Sequence, residues 1–104
     1  MDGGITIFWS TTAKNQRDLI FKFWNKRNGN TGYSKKLNLK LRERTKLLKQ
    51  HPKVGRKTTF PHTRAISMGN YMIFYKYLHP IITITAFWDN RQDPEKLRGI
   101  LRNV

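Results

Sequence analysis

The chain has 104 residues, enough for one small domain and too few to build a second core. Twenty-one Lys and Arg against six Asp and Glu leave a formal net charge of +15, which calls for an anionic partner: nucleic acid, an acidic protein or an anionic membrane surface. There is no cysteine, which excludes a disulfide framework and thiolate ligands or nucleophiles, and no apolar run approaches the roughly 20 residues of a membrane helix.

After a flexible start at Asp2-Gly3-Gly4, the β-branched and aromatic run Ile5 to Trp9 suits a strand. Ser10, Thr11 and Thr12 then offer a helix N-cap. From Ala13 to Arg27 the apolar residues Ala13, Leu19, Ile20, Phe23 and Trp24 recur at helical spacing, so an amphipathic helix is expected, ended by Asn28-Gly29-Asn30-Thr31-Gly32. A second helix begins near Tyr33. Its stripe is Tyr33, Leu37, Leu41 and Leu48, and Pro52 closes it, giving an αα-hairpin.

A basic loop, Lys53 to Lys57, leads to three extended runs: Thr63 to Met68, Tyr71 to Leu78 and Ile81 to Trp88. Gly69-Asn70 is a two-residue hairpin signal, and His79-Pro80 turns the next corner. Asp93-Pro94-Glu95 reads as N-cap, Pro at the first helical position and first-turn acid, opening a short helix through Leu97, Ile100 and Leu101. The expected architecture is a single α+β domain over 1–104, in the order β-α-α-β-β-β-α. A small antiparallel sheet carries the N-terminal αα-hairpin on one face, and a short C-terminal helix follows.

The charge is concentrated. Between Lys35 and Lys57 ten basic residues face the single acid Glu43, a density that favours phosphate contact, with Lys46, Lys49, Lys53, Arg56 and Lys57 as candidate RNA- or ribosome-binding residues. A membrane role fits less well, because the apolar stripe of the second helix is needed to cover the sheet. With no secretion signal at Met1, a soluble cytoplasmic protein is expected.

Constellations for catalysis are sparse. His51, His62 and His79 are scattered without ligand spacing, so no metal is expected, and no glycine-rich loop announces a cofactor. Asp93 and Glu95 are better explained as cap and dipole partner than as an acid and base pair. What remains, Arg, Lys, His and Tyr, suffices for metal-free RNA cleavage: a base takes the 2′-hydroxyl proton, cations offset phosphorane charge, and an acid protonates the leaving oxygen. Arg64, opening a strand, and Arg91, after the last strand, stand apart from the other cations.

The element order and particular residues resemble the RelE/ParE superfamily of bacterial type II toxin-antitoxin toxins, over nearly the whole chain. The motifs are Phe8-Trp9-Ser10 leading into Ala13, Tyr33-Ser34-Lys35-Lys36-Leu37, His51-Pro52-Lys53-Val54-Gly55-Arg56, Tyr71-Met72-Ile73-Phe74-Tyr75, and Trp88-Asp89-Asn90-Arg91-Gln92-Asp93-Pro94. The resemblance implies a toxin partnered by a small acidic antitoxin. Two activities share the fold: ribosome-dependent mRNA cleavage, which the high positive charge favours, and poisoning of DNA gyrase. A non-catalytic nucleic-acid- or antitoxin-binding module is a third reading. In the ribonuclease case Arg64 and Arg91 resemble the phosphate-binding cations, with Lys57, His62, Tyr71 and Tyr75 in reserve as base or acid. Two positions depart from that pattern: Met72 stands where such ribonucleases commonly carry Arg, and Leu97 lies near their terminal catalytic residue. The Arg-x-Asp-Pro element is similar to the gyrase-directed branch.

Overall fold

The computed structural model describes residues 4–102; the start at Asp2-Gly3 lies outside the described residues. Its elements are β1 (Thr6–Trp9), α1 (Thr11–Asn28), α2 (Gly32–Gln50), β2 (Arg56–Lys57), β3 (Thr63–Met68), β4 (Tyr71–Leu78), β5 (Ile81–Asp89) and α3 (Pro94–Arg102). The expected α+β class and element order hold, with one insertion. Part of the basic loop is itself an edge strand, because Arg56 and Lys57 pair with Ala65 and Arg64.

The five strands lie in the order β1-β5-β4-β3-β2. Strands β2 to β5 are antiparallel, as short connections require, but β1 runs parallel to β5, so the sheet is mixed where a purely antiparallel one was expected. A parallel neighbour needs a long crossover, and the whole helical hairpin and meander supply it. Running in this direction brings Ser10 to the middle of β5. There its N–H bonds Ile84 O at 2.9 Å, and its hydroxyl donates to Thr85 O at 3.4 Å while accepting from Ala13 N at 3.1 Å, so one residue ends the strand and caps α1.

Both faces of the sheet are covered. Toward the hairpin, Leu37, Leu41 and Leu48 of α2 and Ala13 of α1 pack on Ile73, Tyr75, Ile82, Ile84 and Phe87. Toward α3, Leu97, Ile100 and Leu101 pack on Ala65, Met72, Phe74, Ala86 and Trp88. Tyr71 to Tyr75 is therefore buried without interruption, as a strand enclosed on two sides must be. Between Phe74↔Ala86 and Tyr75↔Ile84 the register slips by one, leaving Thr85 as an extra residue whose hydroxyl bonds Phe74 O. This bulge lets Ile84 and Phe87, three apart, both face the hairpin.

Gly69 has φ +62, as the first central residue of a two-residue hairpin turn requires, and His79-Pro80 turns through a cis peptide. Asp93 accepts from Glu95 N at 3.0 Å, the expected cap. The stripe of α1 is only partly used. Ala13 is fully buried and Ile20 and Phe21 pack on the core, whereas Leu19 and Phe23 are 65% and 54% exposed, because among the described residues no element reaches over that flank.

The segment after α2 is fastened to the sheet from below. The Tyr75 hydroxyl, fully buried, donates to Pro52 O at 2.8 Å and accepts from Gly55 N at 2.9 Å. Position 55 has no room for a side chain, since a Cβ there would lie 2.6 Å from that hydroxyl oxygen. Gly55→Ala is expected to lose about 1 to 3 kcal/mol to overpacking, and Tyr75→Phe a similar amount by orphaning a buried N–H and C=O. In thermal unfolding each kcal/mol corresponds to roughly 4 to 8 °C for a domain of this size. A Gly55→Ala protein melting with the parent would refute the close contact.

Candidate functional site

Two regions gather the sequence candidates, one toward each end of the sheet. The first is a cleft of about 370 Å³ beside β2 and β3, whose wall includes Lys53, Lys57, His62 and Arg64. Arg64 is held in place by backbone: its Nη1 donates to Lys53 O at 3.1 Å and Gly55 O at 2.8 Å. These acceptors are neutral, so they orient the guanidinium without cancelling its charge. His62 sits at φ +57, an uncommon conformation for a residue with a side chain, in a turn tied by Thr63 Oγ1 to Pro61 O at 3.0 Å and Thr58 Oγ1 to Thr63 O at 2.9 Å. Lys46 and Lys49 lie on the last turns of α2, and Arg56 is exposed on β2. Tyr75 lies beneath this region with its proton committed to Pro52, and burial pushes its phenol pKa up.

The second region surrounds Arg91. Its Nε and Nη2 grip both oxygens of Asp89, at 2.8 and 2.7 Å, and its N–H adds a bond to Asp89 Oδ1 at 2.9 Å. The guanidinium carbon stands 5.6 Å from the Trp24 ring centroid and 5.9 Å from that of Tyr71. Tyr71 accepts from Trp24 Nε1 at 3.0 Å and hydrogen-bonds Tyr33, and burial first of all pushes its pKa up to about 12, so it is a neutral phenol at physiological pH. The hydrogen bonds from Arg91 hold Asp89 below its ordinary value, and the same pairing raises Arg91. Beside this pair runs a groove of about 430 Å³ lined by Leu19, Phe23, Trp24, Arg27 and Phe87.

Arg64 and Arg91 are not brought together. Arg64 pairs with Tyr75, whereas Asp89 pairs with Tyr71, four residues away along β4 or roughly 13 Å at about 3.3 Å per residue, and Arg91 lies beyond Asp89. Each guanidinium is also turned to its own local partners, so the pair does not frame one phosphate. The groove at α1 escaped the sequence reading. Its signal was the width of the α1 stripe, in which Leu19 and Phe23 exceed what the sheet can cover.

The family model described as "ParE toxin of type II toxin-antitoxin system, parDE" matches residues 7–94, from β1 to the first residue of α3. The chain belongs to the ParE toxin family. It is also similar in fold to the solved structure "Chromosomal ParDE TA system from P. aeruginosa", with a TM-score of 0.70, 18% identity, and coverage of 82% of this chain and 95% of that one. No curated protein matches the sequence. In this ParE-family chain the two positions that depart from the ribonuclease pattern, Met72 and Leu97, are packing residues of one apolar cluster. Among the described residues no helix is long and apolar enough to cross a membrane, and no three His, Asp or Glu side chains converge as metal ligands.

The Asp89–Arg91 pair makes a pH dependence. Asp89 has a depressed folded pKa, so its contribution is present above its ordinary value of 3.8 and is lost as pH falls through the folded value. Asp89→Asn is expected to lower stability at neutral pH and to flatten the decline between about pH 5 and 2, measured by urea denaturation across pH. Parallel pH profiles for the two proteins would remove the pair from the acid response.

Proposed function

We propose that this chain is the toxin half of a type II toxin-antitoxin pair and acts on DNA gyrase by binding, without cutting RNA. The observation that carries this reading is the closed α3 face of the sheet. Met72, 8% exposed, lies with Phe74, Ala86 and Trp88 beneath Leu97, Ile100 and Leu101, so the middle of that face holds apolar packing in place of a cation, acid or base, and Arg56 stands only at its β2 edge. Cleavage needs such groups converging within hydrogen-bond reach of one phosphate. Arg64 and Arg91 do not converge, and the Tyr75 proton is bound inside the fold. The family match to ParE toxins supports the gyrase branch in the same direction. The ribonuclease reading retains the cleft of Lys53, Lys57, His62 and Arg64 as a seat.

A gyrase supercoiling assay with purified toxin, set beside primer extension on mRNA from induced cells, separates the readings. Inhibited supercoiling with intact transcripts is the expected result. Cut transcripts with active gyrase would overturn it.

The antitoxin partner follows from the same reading. A charge of +15 favours an acidic segment, and the groove offers it exposed Leu19 and Phe23 between Arg27 and Arg91. Leu19→Ser combined with Phe23→Ser is expected to weaken the complex by about tenfold or more, read by titration calorimetry, with little change in melting temperature because both side chains are already exposed. Unchanged affinity would move the docking surface off α1.

A further inference from the structure

We propose that the β2–β3 edge, with the loop that leads into it, is a docking surface for the phosphate backbone of duplex DNA. The choice of duplex DNA rests on the gyrase reading; the anionic chemistry of the ligand does not. The first observation is how completely charge is segregated. Between Glu43 and Asp89 the sequence contains no Asp or Glu, yet six Lys and Arg fall from Lys46 to Arg64. Three of the six acids are spent on other arginines, in the pairs Asp18–Arg17, Asp89–Arg91 and Glu95–Arg98. Among the described residues Lys53, Arg56, Lys57 and Arg64 form no ion pair, and the first three of these are exposed.

The second observation is that these cations stand on a built support. Arg64 holds the carbonyls of Lys53 and Gly55, the Tyr75 hydroxyl holds Pro52 and Gly55, and β2 is laddered to β3. A charged loop left mobile would pay ordering entropy on binding; this backbone is already ordered. Solubility alone needs no such fixation.

The third observation selects the kind of nucleic acid. Single strands are held by aromatic faces on which bases stack. The two aromatics of the cleft are committed: Phe60 packs against the α3 cluster, and Tyr77 packs against the hairpin core with its hydroxyl bonded to His79 Nδ1 at 3.1 Å. With those rings committed, the exposed cations Lys53, Arg56 and Lys57 suit backbone contact without sequence readout.

The test is fluorescence anisotropy of the full chain, without gyrase, against a mixed-sequence DNA duplex, the matching single strand and the same sequence as duplex RNA, over a range of salt. Tightest binding to duplex DNA is expected. Lys53→Gln combined with Lys57→Gln should shrink the log-log salt slope by about 1.8, roughly 0.9 for each lost phosphate contact. The exposed α1 pair Lys14→Gln with Lys22→Gln should leave it unchanged. Absence of binding, preference for single strand or duplex RNA, or an equal slope change in the α1 variant would each overturn the proposal. The two readings fail separately: supercoiling inhibition without duplex binding rejects this edge alone, and duplex binding with the slope change but active gyrase upholds the edge and rejects the gyrase target.

Discussion

Strand β4 is enclosed on both faces, and each face demands its own layer. Tyr71, Ile73 and Tyr75 require the helical hairpin, while Met72 and Phe74 require α3. Burial of this kind, at about 25 cal/mol per Å² of apolar surface, is the main favourable term available to a chain whose charges repel one another. The same strand also organises the surface. Tyr71 and Tyr75 lie on one face, one at each candidate region. The first supplies the ring and hydroxyl around which Trp24 and Arg91 assemble, and the second fastens the loop that carries Lys53 and Arg56.

The two regions are chemically unlike because the acids are unevenly spent. Near α1 and α3, carboxylates neutralise Arg17, Arg91 and Arg98, leaving a groove whose exposed character is apolar. At the β2–β3 edge carbonyl oxygens hold Arg64, so its positive charge persists. A single small domain can thereby offer a protein partner and a polyanion separate footholds, with little electrostatic competition between them beyond a Debye length of roughly 8 Å.

Local patterns made most of the fold legible. The periodic leucines of α2, the Gly69-Asn70 turn, Ser10 and the Asp93-Pro94-Glu95 cap all report interactions within a few residues of themselves, and each is realised. The parallel pairing of β1 with β5 was not legible, because it joins residues about seventy-five apart, such as Thr6 and Ile81, through strands whose apolar pattern is the same in either direction. Neither was the short strand at Arg56-Lys57, which is too polar and too brief to announce itself. The site was read least well. Residue type identified Arg64 and Arg91 as special, but what each one touches depends on register, and register separates them.

The surplus residue at Thr85 absorbs a change of phase in β5. Side chains of a regular strand alternate faces with a strict period of two, so Ile84 and Phe87 could not both face the hairpin without it. Deletion of Thr85 would join Ile84 directly to Ala86 and close the ladder with Ala86, Phe87, Trp88 and Asp89 on the faces they already hold, at the cost of the hydroxyl bond to Phe74 O and of the carbonyl that Ser10 bonds. Position 85 is thus a place where the strand can lose a residue while the Arg91 corner keeps its register.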